Sequence, residues 1–184
     1  NVNSLKVRLP QVLDWINLNQ PDVLCLQETK QNNDNFPHDV FEKRGLFSYH
    51  NGQNTYNGVA IISNKELIDV QFDIPNFYDE QKRLISGIYP NDEDPKFRVI
   101  SAYIPNGQSL NSDKFEYKMN WLKSFISFLQ TKIDGIENII TGDFNIAPTK
   151  LDCYDSKSWD SKILVSPQER EYFDKLLNLG FIDT

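Results

Sequence analysis

Between Leu5 and Gln20 the apolar residues Leu9, Val12, Leu13 and Ile16 recur every three or four positions, the period of a helix with one apolar face, and Asn19-Gln20-Pro21 supplies a stop. Residues 22–27 (DVLCLQ) then form a continuous apolar run of strand length, which predicts a strand covered on both faces. Further strands are predicted at 58–63 (GVAIIS), 83–88, 97–103 (FRVISAY) and 138–141, divided by turns rich in Asn, Asp, Gly and Pro. A helix over 114–133 follows from the broad apolar face of Trp121, Leu122, Phe125, Ile126, Leu129 and Ile133. Ser166-Pro167-Gln168-Glu169 opens the last helix with a serine cap, a proline in the first turn and a glutamate three residues after the cap, and Gly180 closes it. The order is mixed α/β with hairpin-length links, which predicts sheets covered by helices and not a strict βαβ alternation. No repeat, low-complexity tract or linker interrupts the 184 residues, so one domain spanning 1–184 is expected.

Composition sharpens this picture in three ways. A chain that is 39% hydrophobic, with 12 Phe, 8 Tyr and 3 Trp, can build one large core, and no run approaches the roughly 18 apolar residues of a membrane span. The chain therefore reads as soluble with no membrane partner, and a cytoplasmic monomer is the default expectation. Cys25 and Cys153 have no CxxC partner and no nearby histidine pair, so neither a disulfide framework nor a zinc site is expected. The net charge of −7 argues against nucleic-acid binding driven by charge alone. A divalent metal and a few placed cations would have to meet any phosphate locally. The acidic turn Asn91-Asp92-Glu93-Asp94 reads as a solvated hairpin tip.

Candidate chemistry collects at the ends of the predicted strands. Asp143 and Asn145, in Thr141-Gly142-Asp143-Phe144-Asn145, are two residues apart, so an extended backbone would place a carboxylate and an amide on one face. That pair suits a base beside a donor to a phosphate oxygen, although Asp and Asn also simply turn chains. Glu28 ends the first strand, with Lys30 two residues on, and a carboxylate there suits a hard divalent cation or plain solvation. Asn1 and Asn3 repeat the spacing with amides, and Tyr103 and Asn106 follow the strand at 97–103. Arg83 reads either as a phosphate clamp or as a surface ion pair beside Asp79 and Glu80. His38 and His50 fall in loop-like segments with no Ser or Cys motif for a triad, so neither is assigned to catalysis.

Asn, Glu, Tyr and Asp-x-Asn at four successive strand ends converge on one site if those strands lie side by side. Through NVNSLKVRL, QPDVLCLQETK, YNGVAIIS, EQKRLI, SAYIPNG, GDFNIAPT and SPQEREYFDKLLNLGFIDT, the chain resembles the exonuclease III family of apurinic/apyrimidinic endonucleases, within the endonuclease/exonuclease/phosphatase superfamily. The resemblance implies a four-layered α/β sandwich of two mainly antiparallel sheets flanked by helices. It also implies magnesium, with manganese an alternative, near Glu28, Asn3 and Asn1. Asp143 would activate or orient water, Tyr103 and Asn145 would hold the phosphate, Arg83 and Asn106 would touch the DNA backbone, and Lys30 would lie close to the metal.

The implied reaction is hydrolysis of the phosphodiester 5′ to an abasic site in double-stranded DNA, with removal of 3′ blocking groups or 3′ nucleotides. Relatives end on a late Asp and a terminal Asp-His pair and carry a strand before the segment matching Asn1. A chain running from Asn1 to Thr184 has no counterpart to either, so this piece is expected to be inactive and only marginally stable, with exposed sheet edges. Two other readings stay open at this point. One is a phosphoesterase of the same superfamily acting on phosphoinositide or RNA, and the other is a non-catalytic binding domain that retains the fold.

Overall fold

A computed structural model describes residues 1–90, 97–155, 157–160 and 162–184, so the acidic turn at 91–94 lies outside the described residues. The chain divides into two compact units, Asn1–Tyr103 with Asp134–Asp143, and Ile104–Ile133 with Phe144–Thr184.

The first unit contains both sheets. Strands β1 (Val23–Gln27), β2 (Phe47–Asn51) and β3 (Val59–Ser63) form an antiparallel sheet in the order β1-β3-β2. Strands β4 (Ile68–Phe72), β5 (Leu84–Tyr89), β6 (Phe97–Tyr103) and β7 (Glu137–Asp143) form the other in that order, β4–β5 and β5–β6 antiparallel and β6–β7 parallel. The expected α/β class with two mainly antiparallel sheets is the one observed.

Strand β3 shows why the sheets stack. Its five residues are all buried, and side chains alternate between faces. Val59 and Ile61 enter the core between the sheets with Ile85, Tyr89 and Val99. Ala60 and Ile62 face the other way and pack with Leu5, Val12 and Ile16 of α1 (Leu5–Asn19) and Phe41 of α2 (His38–Glu42). Fully burying an isoleucine such as Ile61 contributes about 2 kcal/mol, so one five-residue strand anchors two layers.

Strand β1 departs from expectation. Val23, Leu24 and Cys25 are only half-buried, because β1 pairs with β3 along one side alone and stands at the edge of its sheet. Its end is met instead by the N-terminal segment: Val2 N donates to Gln27 O at 2.9 Å, Ser4 N to Glu28 O at 2.8 Å and Leu5 N to Thr29 O at 3.0 Å. These bonds fix Asn1 and Asn3 beside the residues that follow β1. Helix α1 ends as read, with Gln20 in the left-handed region at φ 45° and its N–H on Ile16 O.

The second unit carries α3 (Asp113–Gln130) and α4 (Pro167–Asn178). Ser112 caps α3 through the Phe115 N–H, and Phe115, Trp121, Leu122, Phe125, Phe128 and Leu129 line its buried face. Ile133, assigned to that face from its spacing, lies beyond the helix end and is exposed. The capping box of α4 is present in full, Ser166 receiving the Glu169 N–H while the Glu169 side chain receives the Ser166 N–H. Among the described residues, no helix is long and apolar enough to cross a membrane.

Candidate active site

The residues after β1 turn sharply. Glu28 and Lys30 adopt φ of 55° and 53°, and Asn3 and Ser4, running alongside, adopt 43° and 94°. For Glu28 and Lys30 this left-handed backbone costs roughly 1–2 kcal/mol each, and such strain concentrates where a side chain must be placed for function.

At this turn one amide joins two carboxylates. Asn1 Nδ2 donates to Glu28 Oε1 at 2.7 Å and to Asp143 Oδ2 at 2.8 Å, while Asn1 Oδ1 accepts the Asn3 N–H at 3.0 Å. The Tyr103 hydroxyl donates to the same Glu28 Oε1 at 3.0 Å. Lys30 Nζ pairs with Glu28 Oε2 at 3.0 Å and also donates to Asn3 Oδ1. Parallel pairing of β6 with β7 sets Tyr103 opposite Asp143 and Ala102 opposite Gly142. Gly142, at φ 150°, has no room for a side chain, since a Cβ would fall 1.9 Å from Ala102 O.

The hydrogen bonds set the charges. Burial works to raise the Glu28 pKa, but hydrogen bonds from Asn1, Lys30 and Tyr103 outweigh it and hold the carboxyl below its ordinary range. Tyr103 is pushed up to about 12, first by burial and then by the Glu28 charge, so it stays a proton donor at neutral pH. Arg83, read from the sequence as a phosphate clamp or a surface ion pair, is buried. Its guanidinium bonds Gln81 Oε1 at 2.7 and 2.9 Å and Tyr103 O at 3.1 Å, and lies 4.6 Å from the centre of the Tyr103 ring.

The other two amides lie in the second unit. Asn106 Nδ2 donates to Asn145 Oδ1 at 3.2 Å, and Asn145 Nδ2 donates to Ile104 O at 2.9 Å. The shared face expected for Asp143 and Asn145 rested on an extended backbone, and the backbone is not extended there. Strand β7 ends at Asp143, and Asn145 turns at φ 48°, a conformation asparagine tolerates well.

The sequence places both histidines in loop-like segments, and neither lies in one. His38 opens α2, and His50 sits buried in β2, stacked on Phe36 with ring centres 4.1 Å apart and its Nε2 2.8 Å from Thr29 Oγ1. Burial drives its pKa down to about 3, so it is neutral and structural. Sequence spacing also passed over Lys118, which lies in α3 with its ammonium on the carbonyls of Asn106 and Asn145. A lysine among the polar positions of a helix carries no mark of burial.

The donor set suits a hard cation. Among the described residues no group of three or more His, Cys, Asp or Glu gathers around a metal position. Magnesium, however, needs only one or two carboxylates and keeps several waters. Glu28, Asp143 and the amide oxygen of Asn3 supply hard oxygens, and the Lys30 ammonium already rests on two of them.

Residues 1–163 match the endonuclease/exonuclease/phosphatase family. The chain is 35% identical over its whole length to recombination repair protein 1 of Drosophila melanogaster, of which it spans 27%, and 32% identical to exodeoxyribonuclease III of Haemophilus influenzae, of which it spans 72%. Among solved structures, 97% of the chain superposes with a TM-score of 0.92 on 68% of the 3′ phosphatase NExo from Neisseria, bound to a product DNA hairpin, at 41% identity. All of it superposes with a TM-score of 0.91 on 70% of an AP endonuclease from Archaeoglobus fulgidus, at 34% identity. A fold shared at this identity, and a family match that includes both carboxylates and the tyrosine of the site, make the chain a member of the endonuclease/exonuclease/phosphatase family.

Proposed function

We propose that this chain carries the centre of a DNA-repair nuclease that hydrolyses the phosphodiester 5′ to abasic sites and removes blocking groups or nucleotides from 3′ ends, with magnesium as its metal. The observation that carries this is the Asn1 amide shared between Glu28 and Asp143, with the Tyr103 hydroxyl on the same Glu28 oxygen. A site for water attack on a phosphodiester needs an anion to gather a cation, a second carboxylate to take a proton and donors to hold the phosphate.

Glu28 and the amide oxygens of Asn3 and Asn1 would hold the magnesium, which supplies charge stabilisation to the phosphate and the leaving oxygen. Asp143 takes the proton of the attacking water. Asn1 keeps that carboxylate and Glu28 in a fixed relation, so neither is free to rotate away. Tyr103, protonated at neutral pH, offers its O–H to a phosphate oxygen or to Glu28. In the second unit, the amide N–H groups of Asn145 and Asn106 are of the kind that bind phosphate. A baseless sugar is the cheaper one to turn out of a duplex, which favours abasic substrates by a few kcal/mol. The names of the relatives support DNA as the substrate over phosphoinositide or RNA.

The test is a substrate panel given to the protein that carries this chain, with magnesium or with chelator. The panel holds an abasic duplex, a duplex with a 3′-phosphate, an RNA tail and an inositol phosphate. Metal-dependent incision 5′ to the abasic site together with 3′-end removal is the expected result. Turnover of the RNA or inositol compound alone would replace this proposal with another branch of the family.

A further inference from the structure

In the unit formed by Ile104–Ile133 and Phe144–Thr184, the side chains of Lys118 and Glu169 form an ion pair with no solvent exposure on either partner. Burying two charges returns little stability compared with an apolar pair of the same size, and the best use of such a pair is to fix geometry. The bonds around this one point to what is fixed. Glu169 Oε1 accepts the Leu164 N–H at 3.0 Å, and its Oε2 accepts the Ser166 N–H at 3.0 Å and the Ser166 hydroxyl at 2.7 Å. The carboxylate is therefore held from both sides before it meets the lysine. An ammonium has three N–H donors, and besides Glu169 it meets Asn145 O at 2.6 Å and Asn106 O at 3.3 Å.

Those two carbonyls belong to residues 39 apart in sequence whose side chains also meet at 3.2 Å. Neither sits in regular structure. Asn145 is left-handed at φ 48°, and Asn106 is followed by Gly107 at φ 87°. Turns of this kind have no ladder of hydrogen bonds to keep their side chains in place.

We infer that Lys118, oriented by Glu169, is a positioning residue that sets the Asn106–Asn145 amide pair for phosphate binding. The inference rests on the phosphodiesterase reading above for its function, though not for its geometry. An ion pair that merely joined α3 to α4 would have no reason to place its cation on the carbonyls of the two asparagines.

The test replaces the pair by the neutral Lys118→Met/Glu169→Gln, which keeps an oxygen for one of the two backbone N–H groups, with the equally neutral Lys118→Leu/Glu169→Gln as the second variant should the first fail to fold. Each is made with and without Asn145→Ala, and kcat and KM are measured on an abasic duplex. In parallel the side-chain amide resonances of Asn106 and Asn145 are followed by nitrogen-edited NMR. The expected result is a cooperative melt, kcat lowered on the order of a hundredfold, as misplacement by an ångström does, and no further loss when Asn145→Ala is added. Both pairs of amide resonances should shift. Losses that multiply with Asn145→Ala, full kcat in the folded variant, or unmoved resonances would overturn the inference. If the unaltered protein cuts no phosphodiester, the functional reading fails, and the resonances alone decide whether Lys118 sets the pair.

Discussion

The Tyr103 hydroxyl donates to Glu28 Oε1 across 3.0 Å, joining the end of β6 to the turn after β1. The two groups hold each other in opposite protonation states. Glu28 is kept ionised below its ordinary range, and Tyr103 is kept protonated, its pKa pushed up to about 12. Tyr103→Phe should therefore raise the Glu28 pKa toward the ordinary carboxylate range. The sign for stability follows: a depressed carboxyl pKa stabilises the fold above the unfolded value and loses that contribution as pH falls through the folded value. The variant should thus lose less stability on acidification, and carbon-detected NMR titration of the Glu28 carboxyl checks the cause directly. A Glu28 pKa that does not move would mean the tyrosine bond is not among the groups setting it.

His50 gives a second pH dependence. Its folded pKa of about 3 lies below the ordinary 6.5, so the unfolded chain takes up a proton that the native ring refuses. Stability should fall as pH drops from 6.5 toward 3, with a limiting slope of about 1.4 kcal/mol per pH unit from this group. Denaturant unfolding of the wild type and of His50→Gln, compared between pH 6.5 and pH 5, where most carboxylates have yet to titrate, should show a flatter profile in the variant. Parallel profiles would assign the pH dependence elsewhere.

Gly142 is the close approach that lets β7 deliver Asp143. A Cβ there would strike Ala102 O at 1.9 Å, and φ is 150°. Gly142→Ala should destabilise the fold by about 1–3 kcal/mol, the usual cost of overpacking. It should also reduce activity more than a purely thermal effect predicts, because the β6–β7 register that sets Tyr103 beside Asp143 is disturbed. Activity per folded molecule, taken well below the melting temperature, separates the two effects.

Arg83 offers a choice between two roles. If its guanidinium serves Tyr103, as its bonds to Tyr103 O and Gln81 indicate, Arg83→Gln should lower kcat and leave the salt dependence of DNA binding unchanged. A direct phosphate contact would instead reduce the slope of log K against log salt by about one on substitution.

How much of this could be read in the sequence depends on whether a feature is local. The capping box at Ser166 and Glu169, the stop at Gln20 and the buried run of β3 depend on residues within a turn or a strand of each other, and all were legible. Strands β2 and β4 stand outside the predicted strands, although Ile68, Val70 and Phe72 alternate with polar residues as a strand should. The residue types of the site were legible as well, while its geometry was not. Nothing in LQETK marks Glu28 and Lys30 as left-handed, since the backbone there answers to the Asn1–Leu5 segment running alongside. Lys118 and Glu169 are 51 residues apart, and only the folded chain shows that one cation serves two asparagine turns.

In the proposed reaction Asp143, held with Glu28 through Asn1, takes the proton of the attacking water. That role is read out by the single-turnover rate of incision at an abasic site by the protein that carries this chain, with saturating magnesium, for the wild type and for Asp143→Asn. The variant keeps the shape of the side chain and removes its ability to accept a proton. A fall in the chemical step of on the order of 10² to 10⁴, with DNA affinity retained, is the predicted result. An undiminished rate would rule out Asp143 as the base and leave it a strand-end residue of the fold.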